Sequence, residues 1–232
     1  MNVKYSKKFL MDNMMGPNSF RIVEEITNGI RIETGSRILD LGCGKGLTSI
    51  FLAEKYDSSV FAADLWIDPT ENYERFKKVD LGEEIIPLRA EAHHLPFAHD
   101  FFDVIVTIDS YHYFGNTEEF FEKYILPLLR KNGLFIMAVP GLKEEFEDGK
   151  IPEELLPFWQ ENMNFYTKYW WKELFSKTER IIIEKCESLK CHDEAWKEWL
   201  ECDNEYAVHD IEMMKAEGGK YFDTIGIIIR KK

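Results

Sequence analysis

The stretch that decides the fold reads R-I-L-D-L-G-C-G-K-G and spans residues 37–46. Its first half, Arg37–Leu41, is a short apolar segment typical of a buried strand, and the helical spacing of Leu47, Ile50 and Phe51 predicts a helix directly after it. Glycines between the two let the backbone turn sharply and approach a ligand without an intervening Cβ atom. The free N–H groups at the start of the helix point to the same place. The stretch therefore predicts a strand, a tight turn and a helix, with a ligand held at the turn.

Short apolar segments alternate with helical ones on both sides of this turn. We predict further strands at residues 59–63, 85–89, 103–108, 134–139, 181–183 and 224–229. We predict helices at residues 18–30, 72–78, 117–129 and 167–176, and a helical excursion at 192–216. Ser19 is the predicted cap of the first of these helices, and Pro127 ends or kinks the third. The alternation implies a mostly parallel sheet with helices on both faces, while the direction of the last two strands stays open.

The chain is acidic, since 42 Asp and Glu residues against 29 Lys and Arg residues give a formal net charge of −13. An acidic surface repels phosphate backbones and anionic lipid headgroups, so the charge disfavours nucleic acids and membrane surfaces as partners. No apolar run approaches the roughly 18 residues of a membrane span. The cysteines include no C-x-x-C pair, which favours reduced thiols. We therefore expect a cytoplasmic protein without membrane insertion, and the sequence leaves its oligomeric state open.

The glycine turn opens with an aspartate and reads D-x-G-x-G-x-G over residues 40–46. In dinucleotide-binding enzymes the corresponding pattern is G-x-G-x-x-G, whereas here the third glycine comes one residue early. The form found here closely resembles motif I of class I S-adenosylmethionine-dependent methyltransferases. The resemblance implies that S-adenosyl-L-methionine is the cofactor and S-adenosyl-L-homocysteine its product. It places the amino acid end of the cofactor against a group of residues at the turn: Asp40, Gly42, Cys43, Gly44 and Gly46.

Asp64 follows the second predicted strand, 18 residues beyond Gly46. A carboxylate at that strand end can accept hydrogen bonds from both hydroxyls of a ribose, and the resemblance assigns Asp64 this role. Leu65 and Trp66 come next, where the family often places an apolar residue against the adenine face. The three residues therefore extend the predicted cofactor site beyond the glycine turn.

A second stretch, A-E-A-H-H-L-P-F at residues 90–97, precedes F-D-V-I at residues 102–105. It is similar to the D-A-x-x-L-P-F and F-D-x-V pattern of many small-molecule members of the family. The resemblance implies adenine contacts for Glu91 and for the backbone N–H of Ala92, with Glu91 in place of the commoner aspartate.

The fourth predicted strand ends at D-S-Y-H-Y-F, residues 109–114. In open α/β sheets, ligands bind outside the carboxyl ends of the strands, so this segment should lie beside the reacting methyl group. The resemblance places Asp109 against the methionine moiety of the cofactor. His112 is the candidate general base because its ring titrates near neutral pH, with a packed loop histidine as the alternative. Tyr111 and Tyr113 are candidate acceptor contacts.

Apolar residues outside these motifs are further candidates for binding the acceptor. Tyr5, Met14 and Met15 precede the core, in a segment that commonly folds over the cofactor in related enzymes. Trp170 belongs to an aromatic group suited to capping an organic acceptor. The alternative for all four is ordinary packing against the sheet. The histidines at 93–99 lack the usual spacing of metal ligands, so we predict no metal site.

Together these features predict a single doubly wound α/β domain with a mostly parallel, seven-stranded, Rossmann-like sheet. Residues 1–30 form its N-terminal helical segment, residues 31–140 the cofactor-binding core, and residues 141–232 a cap-like segment with the last strands.

The predicted activity is transfer of a methyl group from S-adenosylmethionine to a small-molecule acceptor by in-line displacement. The cofactor carries the activated group, so the protein has mainly to position the reactants and exclude water. A general base is needed only where the nucleophile holds its proton. Three alternatives stay open: a catalytically silent partner protein that binds the cofactor, methylene transfer to a lipid chain, and a nicotinamide oxidoreductase, which the glycine spacing fits poorly. The resemblance does not specify the acceptor atom.

Overall fold

The computed structural model describes residues 5–232, and the first four residues of the predicted N-terminal segment lie outside the described residues. An eight-stranded sheet forms the centre of the described chain. Its strands are β1 (Arg37–Leu41), β2 (Ser59–Asp64), β3 (Ile85–Arg89), β4 (Phe102–Ile108), β5 (Leu129–Leu142), β6 (Tyr166–Thr167), β7 (Ile181–Ser188) and β8 (Phe222–Lys231). Their order is β3-β2-β1-β4-β5-β8-β7, and the short β6 pairs with β5 off this path.

Five neighbouring strands, from β3 to β5 in that order, run parallel, so their carboxyl ends meet at one edge of the sheet. Strand β8 runs antiparallel between β5 and β7, with Ile136 opposite Ile228 and Ile183 opposite Ile229. The predicted mostly parallel, doubly wound sheet is confirmed, and β6 adds a short strand to the seven predicted ones. The antiparallel pairing of β7 and β8 supplies the direction that the sequence left open.

Helices cover both faces of the sheet. They are α1 (Lys7–Asn13), α2 (Ser19–Ile26), α3 (Leu47–Tyr56), α4 (Pro69–Lys77), α5 (Glu118–Phe120), α6 (Lys168–Ser176), α7 (His192–Leu200) and α8 (Glu205–Glu217). Successive residues of a strand point to opposite faces, so Ile38 belongs to the buried cluster that includes α2, α3 and α7, while Leu39 belongs to the cluster that includes α5 and α6. Both residues are fully buried, as expected for a strand covered on both sides.

The first long helix begins and ends differently from the prediction. Oδ1 of Asn18 accepts hydrogen bonds from the N–H groups of Phe20 and Arg21 at 3.0 and 3.3 Å, so Asn18 rather than Ser19 is the cap. The helix ends at Ile26 instead of residue 30, because the chain reverses through Gly29, whose φ angle is +77°.

The predicted helix over 117–129 is irregular. Only Glu118–Phe120 is regular α-helix, and the chain continues through a wider turn at Phe121–Ile125 and a tighter one at Leu126–Leu128. Pro127 lies in the tighter turn, where its missing N–H and fixed φ angle disrupt helical bonding. The predicted end or kink at Pro127 therefore agrees with the structure.

Candidate functional site

A cavity of about 370 Å³ opens at the edge of the sheet where the carboxyl ends of β1, β2 and β4 meet. The glycine turn after β1, the loop after β2 and the loop after β4 supply much of its wall. Many of the site residues predicted from sequence line it: Met15, Gly42, Cys43, Gly44, Asp64, Leu65, Trp66, Glu91, Ala92, Asp109 and Tyr113. The structure thus brings residues from five separate sequence segments to one place.

The glycine turn is held from two sides. Gly42 and Gly44 have φ angles of +75° and +54°, a left-handed conformation that glycine adopts at little cost. The N–H of Gly44 donates to Oδ2 of Asp64 at 2.8 Å, and its carbonyl accepts from Nδ2 of Asn72 at 2.9 Å. A Cβ at Gly44 would meet only the flexible side chain of Met15, with the sulfur 3.0 Å away. The turn is therefore rigid, and its open side faces the cavity.

Two residues of the glycine motif lie behind the cavity wall, where they stabilise the fold. Gly46 is the N-cap of α3, with a φ angle of +83°, and a Cβ there would collide with the ring of Phe76. Asp40 is fully buried, and Oγ of Ser49 donates to its Oδ2 at 2.6 Å. Its Oδ1 has no hydrogen-bond partner among residues 5–232. Burial raises the pKa of Asp40 to about 7. The structure places Gly46 and Asp40 outside the cavity lining.

The carboxylate of Asp64 organises the loops on both sides of it. Its Oδ2 accepts from the N–H of Gly44, and its Oδ1 accepts from the N–H groups of Trp66 and Ile67 at 2.8 and 3.0 Å. A carboxylate offers about four acceptor positions, so these three bonds leave one for a ligand hydroxyl. Asp64 therefore fits a ribose while also holding the turn in place.

Glu91 faces the cavity between two histidines. Nδ1 of His93 lies 3.2 Å from its Oε1, and Nδ1 of His94 lies 3.0 Å from its Oε2. The hydrogen bond from His94 and the neighbouring ring charges lower the pKa of Glu91. His93 also lines the cavity, where it packs edge-on against Phe120 and Tyr124 with centroids 5.0 Å apart. Its role in the wall was not predicted.

Asp109 stands at the carboxyl end of β4 in a left-handed conformation, with a φ angle of +55°. Its N–H donates to the carbonyl of Ala138 at 2.8 Å, while its carboxylate lines the cavity and accepts no hydrogen bond from the residues that the structure describes. The carboxylate lies against Gly16, where a Cβ would collide with Oδ2. Burial and the charge of Asp210 raise the pKa of Asp109 to about 8.

An apolar rim surrounds the mouth of the cavity. Trp66 and Tyr113 are 67% and 52% exposed, and their ring centroids lie 6.0 Å apart in an edge-on arrangement. Leu65 and Met15 are exposed beside them. Large exposed apolar side chains that gather at one opening mark a site for an organic ligand or partner.

His112 does not reach the cavity wall. It is 2% exposed, its ring centroid lies 4.0 Å from that of Tyr113, and its carbonyl accepts from Nδ2 of Asn164 at 3.0 Å. Within the described chain its Nδ1 has no hydrogen-bond partner. Burial lowers the pKa of His112 to about 3. The structure therefore places this ring, predicted as a general base, in the core as a neutral imidazole.

Two aromatic residues predicted to contact the acceptor also pack inside the fold. Tyr111 is fully buried against Phe135 and Trp171, with ring centroids 5.2 and 6.0 Å away. Trp170 stacks on Tyr166 at 3.7 Å. Neither residue lines the cavity, and for Trp170 this agrees with the packing alternative.

Two N-terminal candidates lie away from the cavity as well. The hydroxyl of Tyr5 donates to Oε1 of Glu54 at 2.7 Å, and Met14 is buried with its sulfur 3.7 Å from Sγ of Cys202. Their neighbour Met15, in contrast, lies directly on the glycine turn.

Residues 13–19 contribute more to the cavity than the sequence predicted. Nζ of Lys45 donates to the carbonyl of Asp12 at 3.1 Å, which ties this segment to the glycine turn. The Gly-Pro pair at 16–17 was the available signal, because this dipeptide marks a turn inside an otherwise apolar segment. The unpredicted lining residues are Asn13, Gly16, Pro17, Ser19, Leu41, Lys45, Leu47, Thr48, Ala63, Ala90, His93, Ile108, Ser110 and Phe114.

Comparison with known proteins places this site in a family. Residues 39–137 match a family model described as a methyltransferase domain, and this range holds the glycine turn, Asp64 and the loop after β4. The match agrees with the resemblance to class I S-adenosylmethionine-dependent methyltransferases that the sequence motifs carry. The methyltransferase GfsG of Streptomyces halstedii is 32% identical over 91 residues, which cover 39% of this chain and 33% of that protein. The malonyl-[acyl-carrier protein] O-methyltransferase of Geobacter sulfurreducens is 30% identical over 125 residues, which cover 52% of this chain and 45% of that protein.

Solved methyltransferase structures share the fold along almost the whole chain. Phosphoethanolamine N-methyltransferase 2 of Haemonchus contortus, solved with S-adenosyl-L-methionine, matches 99% of this chain and 58% of that one at 17% identity, with a TM-score of 0.75. Coclaurine N-methyltransferase, solved with N-methylheliamine and S-adenosylhomocysteine, matches 98% of this chain and 80% of that one at 17% identity, with a TM-score of 0.73. The Rossmann-like fold predicted from sequence is confirmed.

The match of residues 39–137 agrees with the predicted enzyme class of methyl transfer (EC 2.1.1), and the two solved neighbours were determined with S-adenosyl-L-methionine or S-adenosylhomocysteine. The aligned part spans a third to less than half of the curated relatives' length. Between residues 5 and 232, no helix combines the length and the apolar character needed to cross a membrane. The same residues contain no group of three His, Cys, Asp or Glu side chains arranged to hold a metal ion.

Proposed function

We propose that this protein is a methyltransferase that transfers a methyl group from S-adenosylmethionine to a small-molecule acceptor by in-line displacement. The hydrogen bond from Gly44 to Asp64 carries the proposal, because it joins the glycine turn and the strand-end carboxylate in one cavity wall. The cavity of about 370 Å³ lies within the range of about 300–1,000 Å³ typical of small-molecule pockets.

The glycine turn fits the amino acid end of the cofactor. Gly42 and Gly44 present backbone rather than side chain to the cavity, and Cys43 lies between them with a buried thiol. The backbone can therefore approach a ligand closely, and Met15 covers the turn from the other side.

The opposite part of the cavity fits the nucleoside. Asp64 keeps one acceptor position for a ribose hydroxyl, and Leu65 and Trp66 offer apolar surface to adenine. Glu91 and Ala92 complete this side, where the Glu91 carboxylate is suited to accept from the exocyclic amine.

Binding S-adenosylmethionine supplies a methyl group that is already activated on a sulfonium. The chain's own residues then position the acceptor and exclude water. Residues 13–17 suit the second task, since Lys45 ties them to the turn and Gly16 contacts Asp109. Asp109, and not His112, is the titratable side chain that we assign to the reacting end of the cavity.

Binding of the cofactor is the direct test. We expect S-adenosylmethionine and S-adenosylhomocysteine to bind in calorimetry with dissociation constants near micromolar, about −8 kcal/mol. NAD should bind far more weakly, because the turn lacks the spacing that holds a pyrophosphate. Tight NAD binding without a response to S-adenosylhomocysteine contradicts the proposal.

Asp64→Ala removes a carboxylate that accepts three backbone hydrogen bonds. We expect it to weaken S-adenosylhomocysteine binding by about 1–3 kcal/mol, because the ribose partner and the anchor of the turn are lost together. Asp68→Ala is the matched control, since Asp68 caps α4 four residues further on and does not line the cavity. If both variants weaken the binding of S-adenosylhomocysteine equally in calorimetry, Asp64 does not contact the cofactor.

Turnover separates an enzyme from a silent cofactor-binding partner. Incubation with methyl-labelled S-adenosylmethionine and a fractionated metabolite extract should transfer label to a small molecule, which mass spectrometry then identifies. Cofactor binding without any labelled product would favour the silent partner, and label in a lipid chain would favour methylene transfer.

A further inference from the structure

The cavity wall carries more acidic than basic groups. Its acidic members are Asp64, Glu91 and Asp109, and its basic members within residues 5–232 are Lys45 and His93. Lys45 donates to a backbone carbonyl, and His93 lies against Glu91. Asp64 accepts three backbone N–H groups and keeps its remaining position for the ribose. Asp109 therefore faces the cavity without a cation or a hydrogen-bond donor from the described chain.

A second carboxylate strengthens the negative field at this end of the cavity. The charge of Asp210, on α8, raises the pKa of Asp109 and contributes to the raised pKa of Tyr113. Asp210 accepts one hydrogen bond, from Nε1 of Trp199 at 2.8 Å, and partial burial raises its own pKa. A carboxylate that is buried and repelled by a second negative charge is stabilised by a positive charge beside it.

The apolar rim next to these carboxylates suits the same charge. A cation is attracted to the face of an aromatic ring, and Trp66 provides the strongest such face. Trp66 and Tyr113 are exposed, their ring centroids lie 6.0 Å apart, and both line the cavity together with Asp109. Carboxylate and aromatic faces together form the usual environment of an organic ammonium group.

We propose that the methyl acceptor is an amine that enters as its ammonium form and is held by Asp109 and the rings of Trp66 and Tyr113. This inference rests on the proposed function, since the cavity must also hold the methyl donor. It names the acceptor atom, nitrogen, which the sequence left open.

Transfer to such an acceptor accounts for every proton and electron pair. The ammonium group gives one proton to the carboxylate of Asp109, and the freed nitrogen lone pair forms the bond to the methyl carbon. The carbon–sulfur bond breaks and its electron pair stays on sulfur, so the positive charge passes to nitrogen. The proton then leaves Asp109 for solvent. The positive charge of the bound ammonium favours the ionised form of Asp109 before the transfer. Burial and the charge of Asp210 raise the pKa of Asp109, which suits the group to hold the proton that the ammonium releases.

A matched pair of ligands tests the inference by binding alone. In calorimetry with the full chain at saturating S-adenosylhomocysteine, we expect 2-phenylethylamine to bind about tenfold or more tightly than 2-phenylethanol. Asp109→Asn should abolish this preference, and Asp210→Asn should reduce it. Glu83→Gln is the control, because it removes one negative charge from an exposed residue outside the cavity lining.

Two results would overturn the inference: equal binding of the amine and the alcohol to the parent protein, or an amine preference that survives Asp109→Asn. A third result would assign Asp109 to the ammonium group of the cofactor instead. In that case the Asp109→Asn variant binds S-adenosylhomocysteine weakly but binds 5′-methylthioadenosine normally. Absence of S-adenosylhomocysteine binding contradicts the proposed function instead. In that case, the binding of 2-phenylethylamine and 2-phenylethanol measured without S-adenosylhomocysteine still tests whether the site prefers an amine.

Discussion

Gly44→Val is expected to lower the affinity for S-adenosylhomocysteine by about 100-fold or more while the protein still folds. A β-branched side chain is strained at the φ angle of +54°, and its methyl groups would occupy the space between the turn and Met15. The neighbour that must move is a flexible methionine rather than backbone, so the core can tolerate the change. Calorimetry reports the affinity, and urea unfolding reports whether the fold is kept.

Gly29→Val is the matched control for backbone strain. Gly29 has a φ angle of +77°, but nothing lies within 4 Å of its Cβ position, and it does not line the cavity. We expect the two variants to lose stability by similar amounts, because the same left-handed conformation is penalised in both. Only Gly44→Val should lose binding. Normal binding by a folded Gly44→Val protein would show that the cofactor does not rest on this turn.

The parallel core could be predicted from the sequence because its signals are local. The glycine turn at 40–46 and the apolar strand at 103–108 each carry their pattern within a few residues. Strand ends follow from those patterns, and ligands of open α/β sheets gather at strand ends. The placement of Asp64 and Asp109 at the cavity therefore needed no knowledge of distant contacts.

The orientation of the residues after β4 could not be predicted in the same way. The left-handed conformation of Asp109 reverses the chain, and a tight turn at Tyr111–Tyr113 then buries two side chains and returns the third to the mouth. Tyr111 faces inward because Phe135 and Trp171 form a pocket for it, and neither is near it in the sequence. No local pattern distinguishes one residue of Y-H-Y from the next, which is why His112 was assigned to the site.

The N-terminal segment was underestimated for a related reason. Nδ2 of Asn18 and the guanidinium of Arg21 both bind the carboxylate of Glu198 on α7, at 2.6 and 2.7 Å. These contacts join the N-terminal segment to α7, and the bond from Lys45 to Asp12 ties the same segment to the glycine turn. Contacts between such distant positions leave no periodic pattern in the sequence. The only indication for Met15 was therefore the apolar composition of its segment.

Asp40→Asn is expected to change the pH dependence of stability. The folded protein raises the pKa of Asp40 from 3.8 to about 7, chiefly by burial, so the folded state holds this proton more tightly than the unfolded state. The stabilisation that Asp40 contributes is therefore complete at pH values below its pKa in the unfolded state. It is lost as the pH rises through its pKa in the folded state. Between pH 5.5 and 8 the loss amounts to about 2 kcal/mol.

An asparagine at position 40 does not ionise, yet its oxygen can still accept the hydrogen bond from Ser49. The free energy of unfolding of the variant, measured in urea, should therefore rise relative to the parent by about 2 kcal/mol from pH 5.5 to pH 8. Asp109, whose pKa is also raised, is present in both proteins and cancels from the difference. Ser49→Ala should steepen the parent's decline, because the hydrogen bond from Ser49 lowers the pKa of Asp40. A difference between parent and Asp40→Asn that stays constant with pH would show that the buried carboxyl titrates normally, and that the wall behind the glycine turn admits water.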